Sequence, residues 1–130
     1  MNKETSPIPV STEQAPAAIG PYSQCVIAGD LAFISGQLPI DPKTGSFVEG
    51  DISAKARQCM ENVSAIAAAA GTSLDRGVKF TIFLTDMTDF AAVNEIYAQF
   101  FQDTFPARSA FQVAALPKNA PIEIEAILAL

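Results

Sequence analysis

Residues 51–85 read DISAKARQCMENVSAIAAAAGTSLDRGVKFTIFLT, and a change of hydrophobic period inside them decides the fold. From Ile52 the apolar positions are Ile52, Ala56, Cys59, Met60, Val63, Ile66, Ala67 and Ala70. That three-four spacing gives one apolar stripe on a helix. Asp51 supplies an N-cap oxygen, and Gly71 is placed to end the helix. From Gly77 to Thr85 the period becomes two. Val78, Phe80, Ile82 and Leu84 fall on one face, and Lys79, Thr81, Phe83 and Thr85 on the other. A helix followed at once by a strand predicts helix packed on sheet.

Working outward, Gln24–Ile27 and Leu31–Gly36 read as strands joined at Gly29-Asp30, a pair suited to a two-residue hairpin turn. The segment from Pro39 to Gly45 is a turn-rich loop. A second helix, capped by Asp89 or Thr88, carries the stripe Phe90, Val93, Tyr97, Phe100 and Phe101. Ser109–Val113 and Ile122–Leu130 complete the chain as strands. The order β-β-α-β-α-β-β predicts an α+β domain: a mixed β-sheet with two helices on one face. The other face then needs a different cover, and partner subunits would supply it.

Composition narrows the function. The chain has 130 residues, enough for one domain with a real core. Hydrophobic residues make up 49%, and part of that apolar surplus is expected in a subunit interface. No apolar run reaches the length of a membrane span. The first 16 residues are polar and proline-rich, and read as a flexible or loosely docked arm ahead of a single domain over residues 17–130. With no apolar leader in that arm, a cytoplasmic protein is expected. The net charge is −6 with eight basic residues, which disfavours nucleic acid as a partner. The absence of histidine excludes Ser-His-Asp and Cys-His pairs and histidine metal sites. Cys25 and Cys59 match no zinc spacing and read as buried thiols, and no dinucleotide or phosphate-loop motif is present. Chemistry without metal or cofactor, or no chemistry, remains.

Some polar residues stand where core is expected. In FPARSAFQVAALPKNAPIEIEA (residues 105–126) Arg108 opens a strand among small and apolar residues. It is either a solvated strand end or a bidentate grip for a carboxylate, a geometry lysine cannot match. Glu123 and Glu125 share one face of the last strand. They are either a solvated face or, beside the expected interface, a base. Asn94 lies on or beside the stripe of the second helix, as part of a local network or facing a pocket. Tyr22 in IGPYSQ reads as packing, and Ser35-Gly36 at a strand end as backbone geometry.

Together, IGPYSQ, AFISGQLPIDPKTG, FAAVNEIYAQFF and FPARSAFQVAALPKNAPIEIEA resemble the Rid family of reactive-intermediate deaminases, also called YjgF-like. The likeness runs from Ala17 to the end of the chain. It implies a chorismate-mutase-like trimer: sheets packed together, helices outside, clefts between neighbours. It also implies cofactor-free hydrolysis of enamines and imines of 2-amino acids, such as 2-aminoacrylate and 2-iminobutanoate, to 2-keto acids and ammonia. By the same resemblance Arg108 matches the residue that binds the substrate carboxylate, and Glu123 the one that positions a water. Tyr22, Ser35 and Asn94 match residues lining the cleft, and Gly36 matches a backbone contact there. The chain departs from the family at Ala110, where cysteine is usual; a backbone contact at that position would survive the change. Two other readings stand beside this one. A non-catalytic sensor or holdase for small carboxylates would keep Arg108 and dispense with Glu123. The ribonuclease or translation-inhibitor activity of some relatives is opposed by the acidic charge and the absent histidine.

Overall fold

A computed structural model of the chain describes residues 6–130. Six strands form one sheet: β1 (Ile8–Val10), β2 (Cys25–Ala28), β3 (Leu31–Gln37), β4 (Gly77–Leu84), β5 (Ala107–Gln112) and β6 (Ile122–Ala129). Their order is β1-β2-β3-β6-β4-β5. Only β4 and β5 pair in parallel; every other neighbouring pair is antiparallel. Helix α1 (Ile52–Ala69) connects β3 to β4, and α2 (Phe90–Ala98) connects β4 to β5. The expected α+β class, a mixed sheet carrying two helices, is what the chain forms.

The local signals act as their chemistry requires. Asp51 Oδ1 accepts from the Ala54 amide at 3.0 Å and caps α1. Gly71, at φ +87°, closes it; its amide bonds Ala68 O and the Thr72 amide bonds Ala67 O. Gly29, at φ +60°, makes the hairpin turn that pairs Ala28 with Leu31. At α2 the cap differs from expectation. Asp89 holds the N-cap position without a side-chain bond, and the capping carboxylate is Asp86, which takes the Thr88 amide at 2.9 Å. A single 3-10 turn, Met87–Asp89, precedes the helix, so the capping residue sits one turn earlier than the stripe suggests. Val78 also leaves its expected face. The β4–β6 register slips between Gly77 and Lys79, and Val78 is exposed in the bulge.

Of the arm expected over residues 1–16, residues 1–5 lie outside the described residues. Ile8–Val10 pair with Ile27, Val26 and Cys25 as an edge strand, a place where Pro9 withholds no ladder donor the sheet needs. The buried amide of Gln24 ties down the chain that follows. Its Oε1 accepts from Thr12 N at 2.7 Å, and its Nε2 donates to Pro16 O at 2.7 Å and Thr12 O at 3.1 Å.

The core lies between the helices and one sheet face. Phe80, Ile82 and Leu84 of β4 and Ile122, Ile124 and Leu128 of β6 meet Cys59, Met60, Val63 and Ile66 of α1 and Val93 and Tyr97 of α2. Each such side chain contributes about 1.5–3 kcal/mol when fully buried. Both cysteines are buried free thiols, and burial pushes each above its ordinary pKa. No described helix covers the opposite sheet face. Phe33 and Phe111 are exposed there, Phe83 and Ile127 half-buried, and Phe83 stacks on Phe111 at 6.4 Å. No described helix is long and apolar enough to cross a membrane.

Candidate functional site

The polar candidates fall into two clusters. Glu123, half-buried on β6, lines a cavity of about 530 Å³ with Tyr22, Ser35, Gly36, Lys118 and Glu125. Burial is the main cause that raises the Glu123 pKa above the ordinary carboxylate value, and the like charge of Glu125 adds to it. The β3–β6 register carries a bulge here: Ile34 pairs with Ala126 and Gln37 with Ile124, so β3 spends one extra residue. Ser35 is pinned in that bulge. Its amide bonds Gln24 O at 2.9 Å, its hydroxyl donates to Ser23 O at 2.6 Å, and its carbonyl accepts from Gln37 Nε2 at 3.1 Å. Next to it, the Glu123 side chain lies over Gly36. Two more walls, Leu38 and Ile40, are held from behind by the buried Asn62, whose Nδ2 donates to their carbonyls at 3.1 and 2.9 Å.

The second cluster is built around Arg108 at the start of β5. Its Nη1 donates to Asn94 Oδ1 at 2.7 Å, and its guanidinium carbon stands 5.0 Å from the Tyr97 ring centre and 5.2 Å from that of Phe90. Stacking of this kind contributes about 0.5–1 kcal/mol at exposed sites and orients the fork. Arg108, Asn94, Tyr97, Phe105 and Pro106 line a separate cavity of about 330 Å³. Asn94 is exposed on α2 and serves as the acceptor that aims Arg108. Ala110, two residues along β5, shares the face of Arg108. Val113 N donates to Leu84 O, and the alternation of a parallel ladder then turns the backbone groups of Arg108 and Ala110 to the open edge of the sheet.

The register separates the two clusters. Arg108 pairs with Phe80, and Glu123 pairs with Phe83. Cross-strand partners share a face, and residues three apart on one strand do not. Arg108 therefore stands on the helix side and Glu123 on the uncovered side, with β4 between their strands. A single chain brings Tyr22, Ser35, Gly36 and Glu123 together and brings Arg108, Asn94 and Ala110 together. It does not unite the groups.

Two features escaped the sequence reading. Lys118 lines the Glu123 cavity from a turn in which it and Asn119 adopt φ of 57° and 58°; the PKN turn before β6 was the available signal. The apolar stripe of α2 marks Tyr97 only as core. Its hydroxyl is buried with no hydrogen-bond partner among the described residues, and burial pushes the phenol up to about 12, opposed by Arg108. Removing an unpaired buried hydroxyl removes a desolvation cost. Tyr97→Phe keeps the edge-on contact with Phe80 at 5.7 Å and is expected to hold stability or raise it by about 1 kcal/mol. Urea unfolding checks this; a clear loss would mean that the hydroxyl has a partner in solution.

The chain has extensive likenesses among known proteins. The family model described as Endoribonuclease L-PSP matches residues 12–130. The RutC family protein y4sK of Sinorhizobium fredii is 53% identical over 122 residues, covering 94% of this chain and 97% of the relative. The 2-iminobutanoate/2-iminopropanoate deaminase of Salmonella typhimurium is 55% identical over 121 residues, covering 91% and 94%. The crystal structure of RidA from an Antarctic Psychrobacter species superposes with a TM-score of 0.89 at 50% identity, covering 93% of this chain and 98% of that one. A match over nearly the whole chain, together with relatives above 50% identity, places the chain in the Endoribonuclease L-PSP family, the Rid family of the sequence reading.

Proposed function

We propose that this protein hydrolyses imines and enamines of small 2-amino acids, of the 2-iminobutanoate and 2-aminoacrylate type, to 2-keto acids and ammonia. The observation that carries the reading is Glu123: a half-buried carboxylate of raised proton affinity, in a cavity on the sheet face that no described helix covers. A relative at 55% identity named as a 2-iminobutanoate/2-iminopropanoate deaminase supports it. Arg108 and Glu123 act together when the open β5 edge of one copy, which carries Arg108, meets the uncovered sheet face of another, which carries Glu123, so that each cleft takes one residue from each copy. A homotrimer does this in a closed ring. Light scattering should give three times the chain mass; a stable monomer at micromolar concentration would remove the composite cleft.

The chemistry follows from the groups. With Nη1 engaged by Asn94, the remaining guanidinium N–H groups of Arg108 grip the substrate carboxylate, and the Ala110 amide at the strand edge adds a donor. This fixes the adjacent C=N carbon, and positioning supplies much of the acceleration. Glu123 takes a proton from water as oxygen attacks that carbon. Glu123 passes that proton to nitrogen, giving the carbinolamine; it then takes the hydroxyl proton and delivers it to nitrogen, so that the C–N bond breaks, the C=O bond forms and ammonia leaves. An enamine first gains a proton at carbon and gives one up from nitrogen to become the imine. One carboxylate serves as base and then as acid, and a raised pKa suits both roles.

The pH dependence has a definite sign. The base form of Glu123 is required, so the rate falls as pH drops through its pKa. Glu125 is the second cause that holds this pKa up. In Glu125→Gln the acid limb of the pH–rate profile should therefore move to lower pH; an unmoved limb would assign it to another group.

The name of the family model points to RNA cleavage as a second reading. A net charge of −6 and the absence of histidine run against it. A coupled assay decides. A pyridoxal-phosphate-dependent dehydratase generates the imine, and keto acid release is followed with and without catalytic amounts of this protein. Faster release supports the deaminase; an unchanged rate rejects it.

A further inference from the structure

We infer that Gly36 is a positioning residue: the space left by its missing side chain is the seat in which the Glu123 carboxylate is held. A Cβ built on Gly36 would stand 2.7 Å from Glu123 Cδ, 2.9 Å from Oε2 and 3.0 Å from Cγ. These are distances inside van der Waals contact, so a methyl group and the present carboxylate cannot occupy the site together. Backbone freedom does not explain the glycine. Gly36 is absent from the glycines with positive φ, so alanine could adopt its conformation. What the position requires is room.

The bulge makes the seat rigid on the β3 side. Its neighbour Ser35 is fixed through amide, hydroxyl and carbonyl at once. Gln37, on the other side, is buried and pairs with Ile124. The backbone at 36 is thus held from both sides, and a new methyl cannot retreat. The Glu123 side chain is the part that can yield, because its distal atoms are the ones met. Gly36→Ala should therefore leave the fold nearly intact while driving the carboxylate out of its half-buried seat toward solvent. The inference deepens the deaminase reading and rests on it for its effect on turnover, but the seat itself can be read without any substrate.

Three measurements on Gly36→Ala test it. The first is the Glu123 titration, followed by ¹³C NMR of carboxyl-labelled glutamate and assigned with Glu123→Gln. The expected result is a fall toward the ordinary carboxylate value as burial is lost; a titration identical to wild type overturns the inference. The second is unfolding in two backgrounds. Whatever destabilisation Gly36→Ala causes should vanish when Glu123 is also alanine; an equal loss in both would show that the methyl meets something else, and also overturns it. The third is turnover. A misplaced base should lower kcat about ten- to a hundredfold with KM little changed, since Arg108 holds the substrate carboxylate. A fall in affinity with kcat intact contradicts a positioning role. If the wild-type protein hydrolyses no imine, the function proposed above fails. The titration and the double-mutant comparison then still decide whether Gly36 seats Glu123.

Discussion

Glu123→Gln is expected to lower kcat for imine hydrolysis by about 10²–10⁴-fold, the usual contribution of a general acid–base group. Glutamine keeps the shape of the side chain over Gly36 and can orient a water, but it cannot take the proton. Affinity for an inert 2-keto acid, held by Arg108, should change little. Calorimetry and the coupled assay on the same mutant separate the two effects. Glu125→Gln provides the contrast. It lies on the same strand face but is exposed, whereas Glu123 is half-buried in its cavity. An unchanged rate in Glu123→Gln beside an abolished one in Glu125→Gln would exchange their roles. Unchanged rates in both would leave a binding module.

Arg108→Lys is expected to lose most of the grip on substrate without loss of fold. The residue is exposed and its contacts are the Asn94 bond and two aromatic faces, so little packing depends on it. Lysine keeps one charge but cannot bond Asn94 and a carboxylate with one planar fork. Charge-assisted bonds contribute about 1.5–3 kcal/mol, which is roughly ten- to a hundredfold in kcat/KM. A lysine variant with wild-type kcat/KM would remove Arg108 from the carboxylate-binding role.

Much of this was legible in the residues, for identifiable reasons. Helix α1 and strands β4 and β6 have unbroken apolar periods, and their interiors are among the most buried parts of the chain. The Asp51 cap, the Gly71 stop and the Gly29-Asp30 turn each rest on local chemistry that tertiary contacts did not override. β1 was not legible, because three residues containing a proline carry no period and the pairing comes from β2. The division of the site was not legible either. Periodicity assigns faces within a strand, but the relation of Arg108 to Glu123 depends on β4 lying between their strands and on which β4 residue each one faces. The role of Gly36 needs the bulge, a feature of the β3–β6 pairing rather than of either strand alone.

The central claim is that each catalytic cleft takes Arg108 from one copy and Glu123 from another. Complementation tests it most directly. Arg108→Ala and Glu123→Gln should each keep only a small fraction of wild-type activity alone; equal amounts are unfolded, refolded together and assayed for imine hydrolysis, with mixed trimers verified by native mass spectrometry. If each cleft draws the two residues from different copies, random mixing leaves both intact in roughly a quarter of the clefts, and the mixture should regain about that share of wild-type activity. Mixed trimers no more active than their two parents would contradict the account.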